Sequence, residues 1–222
     1  MAVKNKGAEH RQQILFNARH ALYENGYQNM SLRELAALSN DNVAIFKYYF
    51  GSKYQMVFTI YADLLNLMDQ QVSGLMELSP KDEFILFNLL ELKLCLENPA
   101  LERLYYELSQ EAAFTNSLQN NFVGHIQKHY PEYSPEHTIL LALSIVHIKS
   151  AIVTYDIDRT AFTMNMYVDI SHGTFMNYYL DQLLNTLEKN VGRHDYFLSL
   201  LDRLTLVMGE DFSLKVRLSE TK

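Results

Sequence analysis

The chain has 222 residues, 48% apolar and 20% charged, a composition that excludes a disordered tail and suits a globular protein with a sizeable core. Its single cysteine, Cys95, excludes an internal disulfide framework and a thiolate zinc site, and fits a reducing compartment. The net charge of −7 is unevenly placed: residues 1–60 carry seven cations, Lys4, Lys6, Arg11, Arg19, Arg33, Lys47 and Lys53, against four acids, leaving 12 cations and 22 acids for the rest. A polyanion would therefore meet only the N-terminal quarter favourably. The opening residues, 1–12, have no apolar stretch of the export-signal kind, and the apolar run 140–153 contains His147 and Lys149 and falls short of a membrane span. A cytoplasmic location and no membrane partner are expected.

Helix signals recur along the whole chain, whereas strand signals are sparse, which predicts an all-α protein. Ser79-Pro80, Asn98-Pro99 and Ser134-Pro135 each place a capping side chain before a proline at the first helical position. Ser31 with Glu34, and Ser52 with Gln55, have capping-box spacing. These marks predict helices near 9–25, 32–38, 43–49, 53–76, 81–97, 99–113, 115–129, 135–156, 160–188 and 193–208. Three short helices thus precede larger ones. The expected division is residues 1–52 and 53–222, with the long helix after Ser52 shared between them.

In the first helix Ile14, Ala18 and Leu22 form one apolar stripe, and Gly26 can supply a left-handed cap. The second buries Leu32, Leu35 and Ala36 and runs into Ser39-Asn40-Asp41-Asn42, a turn in which Asn tolerates positive φ and any of the last three residues can cap a new helix. In the third, Phe46 and Phe50 go inward, which leaves Val43, Ala44, Lys47 and Tyr48 to face outward. The arrangement reads as a helix-turn-helix.

The run from Ile14 to about Tyr61 resembles the N-terminal domain of the tetracycline-repressor (TetR) family of bacterial transcriptional regulators. Ile14, Leu15 and Ala18 match its first helix, Gly26-Tyr27 its Gly-Tyr, and Ser31-Leu32-Arg33-Glu34-Leu35-Ala36 its S-[VL]-R-x-[IL]-A. Tyr49-Phe50-Gly51-Ser52-Lys53 matches its Y-F-x-S-K signature. The chain departs from the pattern at Asn40-Asp41-Asn42, Ala44 and Lys47-Tyr48; Asp41 is expected either to cap the helix or to accept a hydrogen bond from a cytosine amine. The resemblance implies a homodimer on a pseudo-palindromic double-stranded operator, a helical ligand-binding body and release by a small-molecule effector. It implies phosphate contacts from Ser31, Lys47, Tyr48 and Lys53, a place at the DNA for Arg33, and base reading by Asn42 and Val43 with Ala44 close by. It also implies a dimer bundle of two late helices, for which 160–188 and 193–208 are the candidates.

The body is rich in Tyr and Phe, many beside polar groups, which suits a pocket for an amphipathic molecule. Tyr105, Phe114, His147, Tyr155 and His172 are the candidate lining residues. Two constellations suggest a metal instead: His125 and His129 one helical turn apart, and the His194-Asp195 dyad, of the type metal-dependent hydrolases use. The first lacks a Glu of the zinc-protease type, the second lacks an upstream ligand set, and the chain has no glycine-rich phosphate loop or nucleophile elbow. The expectation is a ligand-responsive regulator and not an enzyme, with no cofactor. Control by a protein partner, or a helical hydrolase using His194-Asp195, are the alternatives.

Overall fold

Capping side chains set most of the helix starts. The computed structural model describes residues 2–157, 170–188 and 191–219. Its helices are α1 (Ala2–Asn25), α2 (Leu32–Ala37), α3 (Val43–Phe50), α4 (Lys53–Leu75), α5 (Pro80–Glu97), α6 (Pro99–Ser109), α7 (Ala112–His129), α8 (Pro135–Ile157), α9 (His172–Leu183) and α10 (His194–Asp202). The Ser52, Ser79 and Asn98 side chains each accept the amide N–H three residues on, and Ser134 Oγ accepts that of His137 at 3.2 Å. Ser31 and Glu34 form the full reciprocal capping box. Each bond satisfies an amide that has no partner inside its own helix.

Among the described residues the fold is all-α apart from one small hairpin. The helix expected at 193–208 ends at Asp202, and Leu204–Met208 (β1) pairs antiparallel with Leu214–Leu218 (β2), Leu206 opposite Val216. In β2, Leu214 and Val216 go inward and Lys215 and Arg217 outward, the alternation of a half-buried strand. Gln71 of α4 stands in for a further strand: its Nε2 donates to the Leu214 carbonyl at 2.9 Å and its Oε1 accepts the Val216 N–H at 2.8 Å. Two helix limits also moved, since α1 begins at Ala2 and α6 stops at Ser109. Part of the helix expected at 160–188 lies outside the described residues; within them it comprises α9 and a π-helical turn, Leu184–Glu188.

α5 is the central element. It is apolar on almost every side from Phe84 to Leu96, and packs against α4, α6, α7, α8, α9 and α10. Taken over its 23 residues, α8 is long and apolar enough to cross a bilayer, more than the run 140–153 suggested. In the fold it packs against α6 and α7 and buries Lys149 completely. The lysine is balanced by Glu91 of α5, whose carboxylate accepts from both Lys149 Nζ and the Tyr61 hydroxyl.

Candidate functional site

The N-terminal unit is built on the stripe of α1, where Ile14, Leu15, Ala18 and Leu22 are at most 1% exposed. α2 adds Leu35 and Ala36 to that core, and α3 adds Phe46 and Phe50, whose rings lie 5.2 Å apart. A tight turn joins α2 to α3. Asn40 takes φ +56°, the Asp41 N–H returns to the Ala36 carbonyl at 3.1 Å, and the Asn42 side chain caps α3 by accepting from Ala44 and Ile45. Asp41 therefore does not cap α3: its carboxylate turns back to His10 Nε2 at 2.9 Å, and Asn42 does the capping.

With Phe46 and Phe50 inward, the outer face of α3 presents Ala44, Ile45, Lys47 and Tyr48, the last 83% exposed, with Val43 partly covered. Ser31 and Arg33 are exposed at the start of α2 on the same small unit. Ile45, 37% exposed, was not among the candidates; the i, i+4 pattern of the two phenylalanines already leaves it facing outward. Lys53 stands apart. Its ammonium donates to the Tyr27 and Met30 carbonyls at 2.9 and 3.0 Å and lies 4.0 Å over the Tyr27 ring. Burial lowers its pKa, against the opposing pull of Glu107 and Glu111.

The unit is gripped from the body by α6. Arg103 Nη2 donates to the Tyr23 and Glu24 carbonyls at 2.6 and 3.1 Å, and the Glu107 carboxylate accepts the N–H groups of Tyr27 and Gln28. The end of α1 is thus satisfied by side chains of another helix. Gly26, at φ +80°, sits under this grip, and a Cβ there would lie 2.8 Å from Arg103 Nε and 2.9 Å from Glu107 Oε2. Its backbone conformation favours glycine, and a Cβ would push on the two gripping side chains. The Tyr27 hydroxyl donates to Glu111; burial first, and then that bond, raise the tyrosine well above its usual range.

In the body, a cleft of about 380 Å³ opens between α4, α5 and α7. Its walls include Leu65, Phe84, Leu118 and Phe122, its inner end Asn88 and Glu91, and its rim Asp69, His125 and His129. Phe84 meets Phe122 edge-on at 5.6 Å and carries His125 nearly parallel at 5.4 Å. Burial, followed by the charges of His129 and Lys128, holds the His125 pKa below its ordinary value.

No family model and no curated protein matches this sequence. Solved structures do match its shape. A protein described as a TetR-family transcriptional regulator from Syntrophomonas wolfei str. Goettingen superposes with a TM-score of 0.55 at 20% identity, over 83% of this chain and 98% of that one. Another so described, from Rhodococcus sp., gives 0.54 at 12% identity over 82% and 100%. The chain has the TetR-type fold. In both comparisons the shared fold extends far beyond the motif-bearing first 61 residues, into a body whose sequence carried no family signature.

Within this TetR-type body the five candidate lining residues do not share one cavity. Tyr105 and Phe114 are fully buried in the core beside Tyr61, and the Tyr105 hydroxyl lies 3.0 Å from Ser150 Oγ. His147 is exposed on α8, near Gln119. Tyr155 lines a shallow apolar groove with Ile152, Phe175 and Tyr178, and His172 pairs with Asp156 at 2.9 Å. Asn88, Glu91, Phe84 and Phe122, which line the cleft, were not among the candidates, although Asn88 and Glu91 stand out as polar residues three apart inside an apolar helix. The metal constellations do not assemble either. His194 lies 3.5 Å from Asp181 and 3.9 Å from an exposed Asp195, and no group of three His, Cys, Asp or Glu side chains converges among the described residues.

Proposed function

We propose that this protein is a DNA-binding transcriptional regulator, a homodimer that represses by occupying a pseudo-palindromic operator and is released by a small amphipathic effector. The observation that carries the reading is the outer face of α3, where Ala44, Ile45, Lys47 and Tyr48 stand clear while Phe46 and Phe50 anchor the helix from behind. α3 is the recognition helix. Lys47 and Tyr48, with Ser31 and Arg33 from α2, hold phosphates; Asn42, Val43 and Ala44 at its N-terminal end lie at base edges. Lys53 positions the Tyr27–Met30 loop through its two carbonyl contacts.

One such unit touches few base pairs, so a two-fold pair is needed to span two half-sites about 34–36 Å apart. The surface that fits pairing is the outer face of α8 and α9, where Leu140 is 62% and Tyr178 52% exposed. This changes one of the two expected bundle helices, because α10 is nine residues long and packs on α5 and β1. The protein works in the cytoplasm, where its DNA is.

The test is selection of genomic DNA fragments by the purified full chain, followed by a salt titration on the recovered site. A short two-fold-symmetric sequence whose binding weakens linearly in log salt is expected. Fragments sharing no sequence would overturn the proposal.

A further inference from the structure

We infer that the cleft between α4, α5 and α7 is the effector site, and that it takes a flat, unsaturated molecule with a hydrogen-bond-donor head, an amine or alcohol and not a carboxylate, the head donating to Asn88 Oδ1. This deepens the ligand-responsive part of the proposed function and rests on it. At about 380 Å³ the cleft falls in the range of about 300–1,000 Å³ typical of small-molecule sites. Its wall of Phe122, Phe84 and His125 is an edge-to-face pair continued by a near-parallel ring, which offers a π surface to an aromatic body.

The inner end selects the head. Asn88 lines the inner end of the cleft and is 1% exposed; its Nδ2 donates to the Phe84 carbonyl at 2.7 Å, while its buried Oδ1 has no hydrogen-bond partner. A buried acceptor in that state is costly, and a ligand N–H or O–H relieves it. Glu91, one turn further on and 2% exposed, already accepts from Tyr61 and Lys149, but a carboxylate has lone pairs to spare for a second contact with the head. Charge points the same way. Glu91 is offset by Lys149, and of the other charged residues lining the cleft Asp69 and Glu83 outnumber Lys128, so an anionic head is opposed.

Position gives the site its leverage. Through Glu91 the inner end reaches Tyr61 on α4, the helix that follows α3, and Lys149 on α8, the helix offered for pairing. A ligand that shifts this three-helix junction acts on the spacing of the two recognition helices.

The test uses four naphthalene probes on the full-length protein without DNA, by titration calorimetry: 1-naphthylmethylamine, 1-naphthylmethanol, 1-methylnaphthalene and 1-naphthoate. The amine and alcohol are expected to bind roughly tenfold or more tighter than methylnaphthalene, the worth of one hydrogen bond to a buried acceptor, and naphthoate is not expected to bind. Asn88→Leu should bring the amine and alcohol down to the level of methylnaphthalene and leave methylnaphthalene unchanged. If Asn88→Leu does not fold, Asn88→Asp, which keeps an acceptor, should bind the amine more tightly relative to the alcohol than wild type does. Equal binding of all four probes, preference for naphthoate, no binding at all, or an Asn88 variant that leaves these preferences unaltered would overturn the inference. Because DNA is absent from this assay, failure of the regulator reading shows itself separately, in the fragment selection.

Discussion

Lys149 shows how a buried charge is kept. Its side chain is fully buried, with the Glu91 carboxylate as counter-ion and the Tyr105 and Phe122 rings 5.8 and 5.4 Å away. Lys149→Met strands Glu91 as an uncompensated charge and should lower stability by about 3–5 kcal/mol in urea unfolding, whereas Glu91→Leu with Lys149→Met should recover most of that. The recovery stays incomplete because the Tyr61 hydroxyl then loses its acceptor, worth about 1–3 kcal/mol. A double variant weaker than the single one would show that the pair stabilises the fold outright. Two lysines of the N-terminal unit separate in the same way. Lys47 is exposed on α3, so Lys47→Ala should weaken binding to all DNA sequences and reduce the salt slope by about one. Lys53→Ala removes an anchor of the Tyr27–Met30 loop and should lower the melting temperature with little change in slope; an equal drop in slope would make it a phosphate contact after all.

Between elements, the junction of α6, α8 and α9 is a proton-linked contact. Glu102 of α6 faces Asp156 of α8, which also accepts from His172 at the start of α9. Burial first, then the hydrogen bond and charge of Asp156, raise the Glu102 pKa from 4.5 to about 8. The folded chain thus keeps a proton that the unfolded chain releases above pH 4.5, so this contribution to stability is complete below that pH and is lost as pH rises through about 8. Glu102 is only half buried, which makes the effect smaller than the full shift implies. Glu102→Gln should flatten the fall in melting temperature between about pH 5 and 8; an unchanged profile would free Glu102 from this role. Elements were legible from sequence wherever one local rule decided them, as at the Ser-Pro and Asn-Pro helix starts and the Asn-rich turn before α3. The hairpin escaped because its five-residue turn, with Phe212 at φ +56°, has no Asn-Gly or Asp-Gly signal, although Leu214-Lys-Val-Arg-Leu218 alternates strictly. The cleft escaped for another reason: it is made by three helices whose meeting is a tertiary fact, and only the isolated polar residues Asn88 and Glu91 hint at it.

At the scale of the molecule, positive charge is concentrated in the first 60 residues, whereas large exposed apolar side chains occur both there, as Phe16 and Tyr48, and on the body. The basic N-terminal quarter carries the outward face of α3, whereas Leu140 and Tyr178 lie on α8 and α9, whose other residues, including Ile145, Val146 and Tyr179, fill the core. On the proposed pairing, exposed apolar side chains on two helices that pack on each other, Ile139 and Leu140 of α8 and Tyr178 of α9, serve an isologous interface, in which the same patch is used by both subunits. An aspartate at each position would meet its own symmetry mate, or its neighbour's, across that interface, so repulsion adds to lost packing. Leu140→Asp with Tyr178→Asp should therefore sediment as a monomer at concentrations where wild type is a dimer, with unchanged helical circular dichroism because neither side chain belongs to the core. The recovered operator separates assembly from recognition: the monomer should bind the whole site no more tightly than a half-site, while Lys47 and its neighbours still set the salt dependence of each half. A double variant that remains dimeric would move the pairing surface elsewhere on the body, and one that is monomeric yet holds the whole operator as tightly as wild type would remove the two-fold arrangement from the mechanism.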